Sequence, residues 1–304
     1  MRTKGFLFPG YGSQYVGMGK DFYDKYRIVQ ELFEEASNCT GLNFIRLCFA
    51  SSEKELAKPL NAYLSLFLIQ ASLFSVLKEH EIFPHIITGW GVGQVSVYYA
   101  SGILNFPDGL YFLKKYMEFF ESLVQGYDAS IISIKGVDRN LLNMCRVTCN
   151  VEDLTKLAII REEKDLVVAG TKKALDVLSS YINKNFDVKI ENERYTYGIH
   201  LLFINEMVRN LNLYLEKIDC KKPKITFVDQ SGVMFKKGRL LSKLYLTEFM
   251  SHPVDIMMMV KKIDSVSTIV LIVPAKTTLD VLDKYFPHKK KFLIKNKSDI
   301  KELV

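Results

Sequence analysis

The shortages in this 304-residue chain are its first information. It has five cysteines, Cys39, Cys48, Cys145, Cys149 and Cys220, an odd and scattered set that builds no disulfide framework. Cys145 and Cys149 lie one helical turn apart but have no histidine or second cysteine pair near them, so neither a metal site nor any cofactor is expected. The apolar run at the N-terminus stops at Pro9, too early for a signal peptide, and the longest apolar stretch, Leu60 to Leu77, is interrupted by Asn61, Gln70 and serines. It reads as a buried core helix, and a cytoplasmic protein without a membrane partner is expected. There is no internal repeat and no low-complexity segment. No nucleic-acid module or aromatic interleaving accompanies the basic balance of +7, so nucleic acid is not an expected partner either. The lysines that gather at the end, from Lys284 to Lys301, read as a solvated face able to steer an acidic partner.

What is present centres on Gly89-Trp90-Gly91-Val92-Gly93-Gln94, between the apolar run Ile82 to Thr88 and a helical segment, Val95 to Gly102. A strand, a sharp turn and a helix is the layout of a nucleophile elbow, G-x-S-x-G, which presents a serine hydroxyl above a sheet edge. Here the middle residue is Gly91, which has no side chain to attack a carbonyl. A dinucleotide loop fails on spacing, since that needs G-x-G-x-x-G.

Around this centre, short apolar strands alternate with helical spacing. Lys4 to Phe8 is a strand that opens into the glycine-punctuated loop Gly10 to Gly19, and Asp21 to Ala36 is a helix. Ser52 to Glu55 matches a capping box, and Pro107 to Glu121 is a helix. Strands at Ser130 to Ile134, Leu157 to Ile160, Leu166 to Gly170 and Asp187 to Ile190, with helices at Asn140 to Cys145 and Lys172 to Ile182, form a small split-βαβ unit. The remainder reads as a helix at Leu201 to Leu215, a strand at Ile225 to Val228, a helix at Leu240 to Met250, another after Pro253, and a strand from Thr268 to Pro274. The alternation predicts an α/β fold with a mainly parallel sheet covered on both faces.

Several stretches then coincide in order: Phe8-Pro9-Gly10-Tyr11-Gly12-Ser13-Gln14 with Gly17-Met18-Gly19; Gly89 to Gln94 with Ser96, Ala100 and Gly102; Val167 to Gly170; Gly198-Ile199-His200; and Pro253-Val254. On these the chain resembles the malonyl-CoA:acyl-carrier-protein transacylase family, which includes the acyltransferase domains of polyketide synthases. The resemblance implies an α/β-hydrolase-like large domain, residues 1–126 and 198–304, with a ferredoxin-like insertion at 127–197. It implies that an elbow serine takes the acyl group from a CoA thioester, a histidine acts as base, and a carrier-protein thiol collects the acyl group. The oxyanion donors would be the backbone N–H groups of Val92 and Tyr11.

The departures are many. The nucleophile position is Gly91 and the base position, His200, is retained. The arginine that clamps the malonyl carboxylate in the family falls on Tyr116, the family's usual glutamine before Pro253 on Phe249, its histidine before the nucleophile on Trp90, and its glutamine-proline on Ser65-Leu66. Tyr116, Trp90, Phe249 and Ser65 would therefore line the substrate pocket. Ser96, five residues beyond Gly91, lies on another helix face and is a poor substitute nucleophile. The expectation is a member of the family with a degenerate site, acting as a non-catalytic binding or scaffolding component of fatty-acid or polyketide synthesis. Its partner would be an acyl carrier protein or a synthase component, and acyl-CoA is a further candidate ligand. The alternative is weak thioester hydrolysis or transfer, with His200 activating water beside the Tyr11 and Val92 amides.

Overall fold

A computed structural model describes residues 3–193, 199–273 and 276–303. The first apolar run, Lys4–Phe8, is strand β1, central in its sheet and buried from Gly5 onward because Phe6 and Phe8 pack against Phe74 on one face and Leu7 joins Met259 and Val260 on the other. It is followed by β2 (Ile86–Gly89), β3 (Ala129–Lys135), β4 (Thr155–Glu162), β5 (Asp165–Thr171), β6 (Lys189–Asn192), β7 (Thr226–Val228), β8 (Met234–Phe235), β9 (Val254–Asp255), β10 (Thr268–Ile272) and β11 (Lys290–Ile294). The larger sheet has the order β11-β10-β1-β2-β7-β8, parallel except for the β7–β8 hairpin. Its strand β10 is buried at every position, as a parallel strand covered on both faces requires.

The uncharged stretch is a helix, Pro59–Glu79. It is long and apolar enough to cross a membrane, but 78% of its most apolar window is buried inside the fold. It packs beneath the helix that follows β2, Val92–Ala100, and its one mid-helix amide side chain, Gln70, is fully buried.

The second sheet has the order β6-β3-β5-β4-β9. Strands β3 to β6 pair antiparallel, and the helices Arg139–Thr148 and Lys172–Asn185 cover them around a separate core that includes Ile134, Leu142, Cys145, Leu175 and Leu178. The fold is thus an α/β-hydrolase-like large domain, mainly parallel, with an inserted ferredoxin-like small one. The last strand of the small sheet comes from later in the chain: β9 pairs parallel with β4, Ile159 opposite Val254 and Ile160 opposite Asp255. That pairing ties the insertion to the loop after Pro253.

Three expectations differ from the structure. The helix expected from Asp21 to Ala36 is two, Lys20–Lys25 and Arg27–Thr40, broken at Tyr26, whose backbone is extended. The helix expected from Leu240 starts only at Tyr245. Gly238, at φ 82°, donates its N–H to the Pro223 carbonyl, and Lys237 donates to Thr226 Oγ1, so this part of the chain is bound to the start of β7 before it can wind. The lysine-rich end is not only a solvated face: β11 lies within it and buries Phe292 and Ile294 against the core.

Candidate functional site

Gly91 sits between β2 and the helix Val92–Ala100 with φ 56° and ψ −125°, a conformation that side-chain-bearing residues rarely adopt. Its two flanking glycines are required for a different reason. A Cβ on Gly89 would stand 2.6 Å from the Gly93 carbonyl oxygen and 2.7 Å from that of Phe8, and a Cβ on Gly93 would overlap the Phe8 oxygen itself. The crossing of β1, β2 and the helix is so close that only glycine fits at both ends of the turn. At Gly91 there is room, because an added Cβ would meet nothing nearer than Gly10 Cα at 3.9 Å. Space demands the outer glycines; only backbone strain favours the middle one.

The turn is held by a residue that the sequence reading did not single out. Gln230, buried just beyond β7, accepts the Gly91 N–H through Oε1 at 3.0 Å. Its Nε2 donates to the carbonyls of Phe249 at 3.1 Å and His252 at 3.3 Å, and its own N–H donates to Gln94 Oε1 at 3.0 Å. A polar pair, Asp229-Gln230, directly after an apolar strand was the available signal. A second glutamine fixes the loop after β1: Gln70 Nε2 donates to the Pro9 carbonyl at 2.7 Å. The nearby hydroxyls are committed elsewhere. Ser96 is fully buried and donates to Gln70 Oε1 at 2.6 Å, and Ser13 donates to the Gly10 carbonyl at 2.7 Å. The Val92 N–H, at the first turn of its helix, has no acceptor among the described residues.

His200 lies in a short 3-10 turn, Ile199–Leu202. Its Nε2 is 3.2 Å from the Met250 carbonyl oxygen, and since a carbonyl only accepts, the neutral ring carries its proton on Nε2 and its lone pair on Nδ1. Burial pushes its pKa down to about 4, opposed in part by that carbonyl. The peptide at Phe249-Met250 therefore joins the two halves of the site: Gln230 holds one carbonyl together with Gly91, and His200 holds the next.

The other expected site residues fall into two groups. Tyr116 packs edge-on to His200, ring centroids 5.9 Å apart, and tilted on Tyr63 at 5.8 Å, and Tyr63 packs on Tyr11 at 5.9 Å. Burial raises the hydroxyl pKa of both Tyr116 and Tyr63, Tyr63 to about 12. The Tyr11 hydroxyl donates to the Ala57 carbonyl at 2.6 Å. Tyr11, Tyr63, Tyr116 and His200 thus form one file of rings. Phe249 is buried edge-on to Tyr98 and reaches the site by its carbonyl alone. Trp90 packs over Gly10 and joins the separate apolar cluster of Leu7, Val228, Met259 and Leu271. Ser65 is fully buried beside the Cys48 thiol. Gly198, which precedes His200 in the expected motif, lies outside the described residues.

The family description "Acyl transferase domain" matches residues 5–285. The chain belongs to the acyl transferase domain family. It is 27% identical over 286 residues to the malonyl CoA-acyl carrier protein transacylase of Bacillus subtilis, covering 92% of this chain and 89% of that one. An acyl carrier protein S-malonyltransferase from Vibrio cholerae superposes with a TM-score of 0.88 at 15% identity, over 99% of this chain and 100% of that one. A structure of a type II PKS acyl-carrier protein in complex with its malonyl-transacylase matches with a TM-score of 0.85 at 16% identity, over 99% and 98%.

The turn offers backbone donors and no side chain at its centre. The helix N-terminus at Val92 offers an N–H to a developing oxyanion. No hydroxyl or thiol stands at Gly91, and a histidine with a pKa of about 4 is a feeble proton acceptor near neutrality. Tyr116 is buried, its ring against those of Tyr63 and His200.

Proposed function

We propose that this member of the acyl transferase domain family acts by binding rather than by acyl transfer, as a component of fatty-acid or polyketide synthesis. The observation that carries the reading is Gly91: the elbow turn is built in full, yet its central residue has no side chain and the neighbouring hydroxyls of Ser13 and Ser96 are engaged. Loss of a serine nucleophile costs roughly a millionfold in turnover, and here the carboxylate clamp is absent as well. The partner in this reading is an acyl carrier protein or a synthase component in the cytoplasm. Its support is that relatives are named for acyl carrier protein and that one matching structure is a complex with such a protein. The division into a core of 1–126 and 198–304 and an insertion of 127–197 is part of the same reading.

The test is a pull-down and titration with apo and phosphopantetheinylated carrier proteins and with family-active transacylases at physiological salt. Saturable binding of one of them without release of CoA is the expected result. Absence of binding to all of them overturns the reading.

A second reading rests on the Val92 N–H without an acceptor beside a glycine that leaves room for a ligand: slow hydrolysis of acyl thioesters, with His200 activating water and the Tyr11 and Val92 amides holding the oxyanion. The tyrosine file at Tyr116 favours a neutral acyl group over malonyl in that case. Hydrolysis unchanged in His200→Ala rules it out.

A further inference from the structure

The segment 221–244 carries seven cations, Lys221, Lys222, Lys224, Lys236, Lys237, Arg239 and Lys243, and a single carboxylate, Asp229, which is buried and bound to Tyr245 and Ser231. All seven cations are exposed. The β7–β8 hairpin brings them together: Phe227 pairs with Phe235 and Val228 with Met234, and the Gly238 N–H bonds the Pro223 carbonyl at 2.8 Å, so 221–224 lies beside 236–239. Among the described residues only Lys221 has an acidic partner, Asp219, at 3.8 Å. Some lysines elsewhere are paired, as at Lys284 with Glu162 and Lys291 with Asp283, and among the described residues none of those unpaired has two exposed leucines in the same loop as these do.

Two leucines stand in the same segment, Leu240 at 65% and Leu244 at 56% exposure. Lys243 Nζ, between them in sequence, lies 3.4 Å from the Leu215 and Glu216 carbonyls at the end of the helix Ile204–Leu215, which anchors the segment to the large domain. A stretch that exposes cations alone fits any polyanion. One that exposes large apolar side chains among unpaired cations fits an anionic surface with an apolar interior.

We propose that the loop 236–244, with Lys222 and Lys224 beside it, is a peripheral docking surface for an anionic lipid bilayer. Lys236, Lys237 and Arg239 meet the headgroups, and Leu240 and Leu244 enter the acyl boundary. A nucleic acid offers the leucines nothing, and the surface crosses no bilayer; it assigns a membrane surface where the sequence pointed to no membrane partner at all. The inference does not rest on the state of the elbow.

The test is flotation of the full chain with phosphatidylcholine vesicles, with and without phosphatidylglycerol. Binding only to the anionic vesicles at about 0.1 M salt, lost near 1 M where the screening length falls to about 3 Å, is expected. Lys236→Gln with Lys237→Gln is expected to weaken partitioning about 25-fold, at about fivefold per cation. Leu240→Ser with Leu244→Ser is expected to weaken it at least about tenfold with the charge unchanged. Circular dichroism and melting verify that these surface variants fold, and Lys222→Gln with Lys224→Gln is the second charge pair. Equal binding to neutral and anionic vesicles, or no binding to either, overturns the proposal. So does full binding by the leucine variant, which makes the surface an electrostatic one for nucleic acid or an acidic protein.

Discussion

The backbone of the elbow and the side chains around it have fared differently. Gly89 and Gly93 sit where any Cβ meets the Phe8 or Gly93 carbonyl, so packing alone retains them whether or not the protein has an activity. In the reading proposed above, Gly91, Tyr116 and Phe249 stand where the acyl transferase resemblance calls for a nucleophile, a cation and an amide, and the fold accommodates these residues there. Geometry that the core needs is kept; chemistry that only a reaction needs is free to change. The persistence of an elbow is thus evidence of fold, and the identity of its central residue is evidence of function.

The sharpest way to break this comparison is at Gly93. Gly93→Ala forces a methyl into the Phe8 carbonyl between β1 and the elbow helix, and a loss on the order of 4 kcal/mol or more is expected, seen as an early or absent thermal transition. If Gly93→Ala melts like the parent, the glycines are not steric necessities. Gln230→Ala comes next. It strands the Gly91 N–H and the Phe249 carbonyl in a buried setting, and about 2–3 kcal/mol should be lost in urea unfolding.

His200 sharpens the other side of the comparison. Its pKa is about 4 in the fold against an ordinary 6.5, so the unfolded chain takes up the proton first. The associated stability is whole above pH 6.5 and is lost as pH falls from there through about 4, by roughly 3 kcal/mol. His200→Gln should flatten that part of the stability profile, and an equally steep fall in the variant would assign it to other groups. The smallest effect is expected at Tyr116→Phe, within about 1 kcal/mol, because the ring contacts to His200 and Tyr63 remain.

Much of this was legible in the chain. Alternating apolar strands and helices around Gly89 to Gln94 predicted the parallel sheet, and the run from Ser130 to Ile190 predicted the split-βαβ insertion, because burial on both faces and helical spacing leave periodic marks. What was not legible depends on distant contacts. Strand β9 is two residues long and exists through its pairing with β4, and Gln230 matters because Gly91 lies opposite it, 139 positions away in sequence. The leucines at 240, 241 and 244 imitate a helix face, but bonds from Lys237 and Gly238 to the start of β7 hold the chain out of one. The packing of Trp90 over Gly10 and with the cluster that includes Leu7 and Met259 likewise depends on contacts far apart in sequence.

The central claim is that the elbow persists without a nucleophile. It is tested most directly by intact-protein mass after incubation with malonyl-, acetyl- and longer acyl-CoAs, beside Gly91→Ser, with free CoA followed in the same samples. Space for the hydroxyl exists at Gly91, and the backbone strain of a serine at φ 56° costs about 1–3 kcal/mol, which a folded domain can carry. The account predicts no adduct and no CoA release from the natural chain, and an acyl adduct on the Gly91→Ser protein. A covalent acyl adduct on the natural chain would contradict it and place a nucleophile elsewhere.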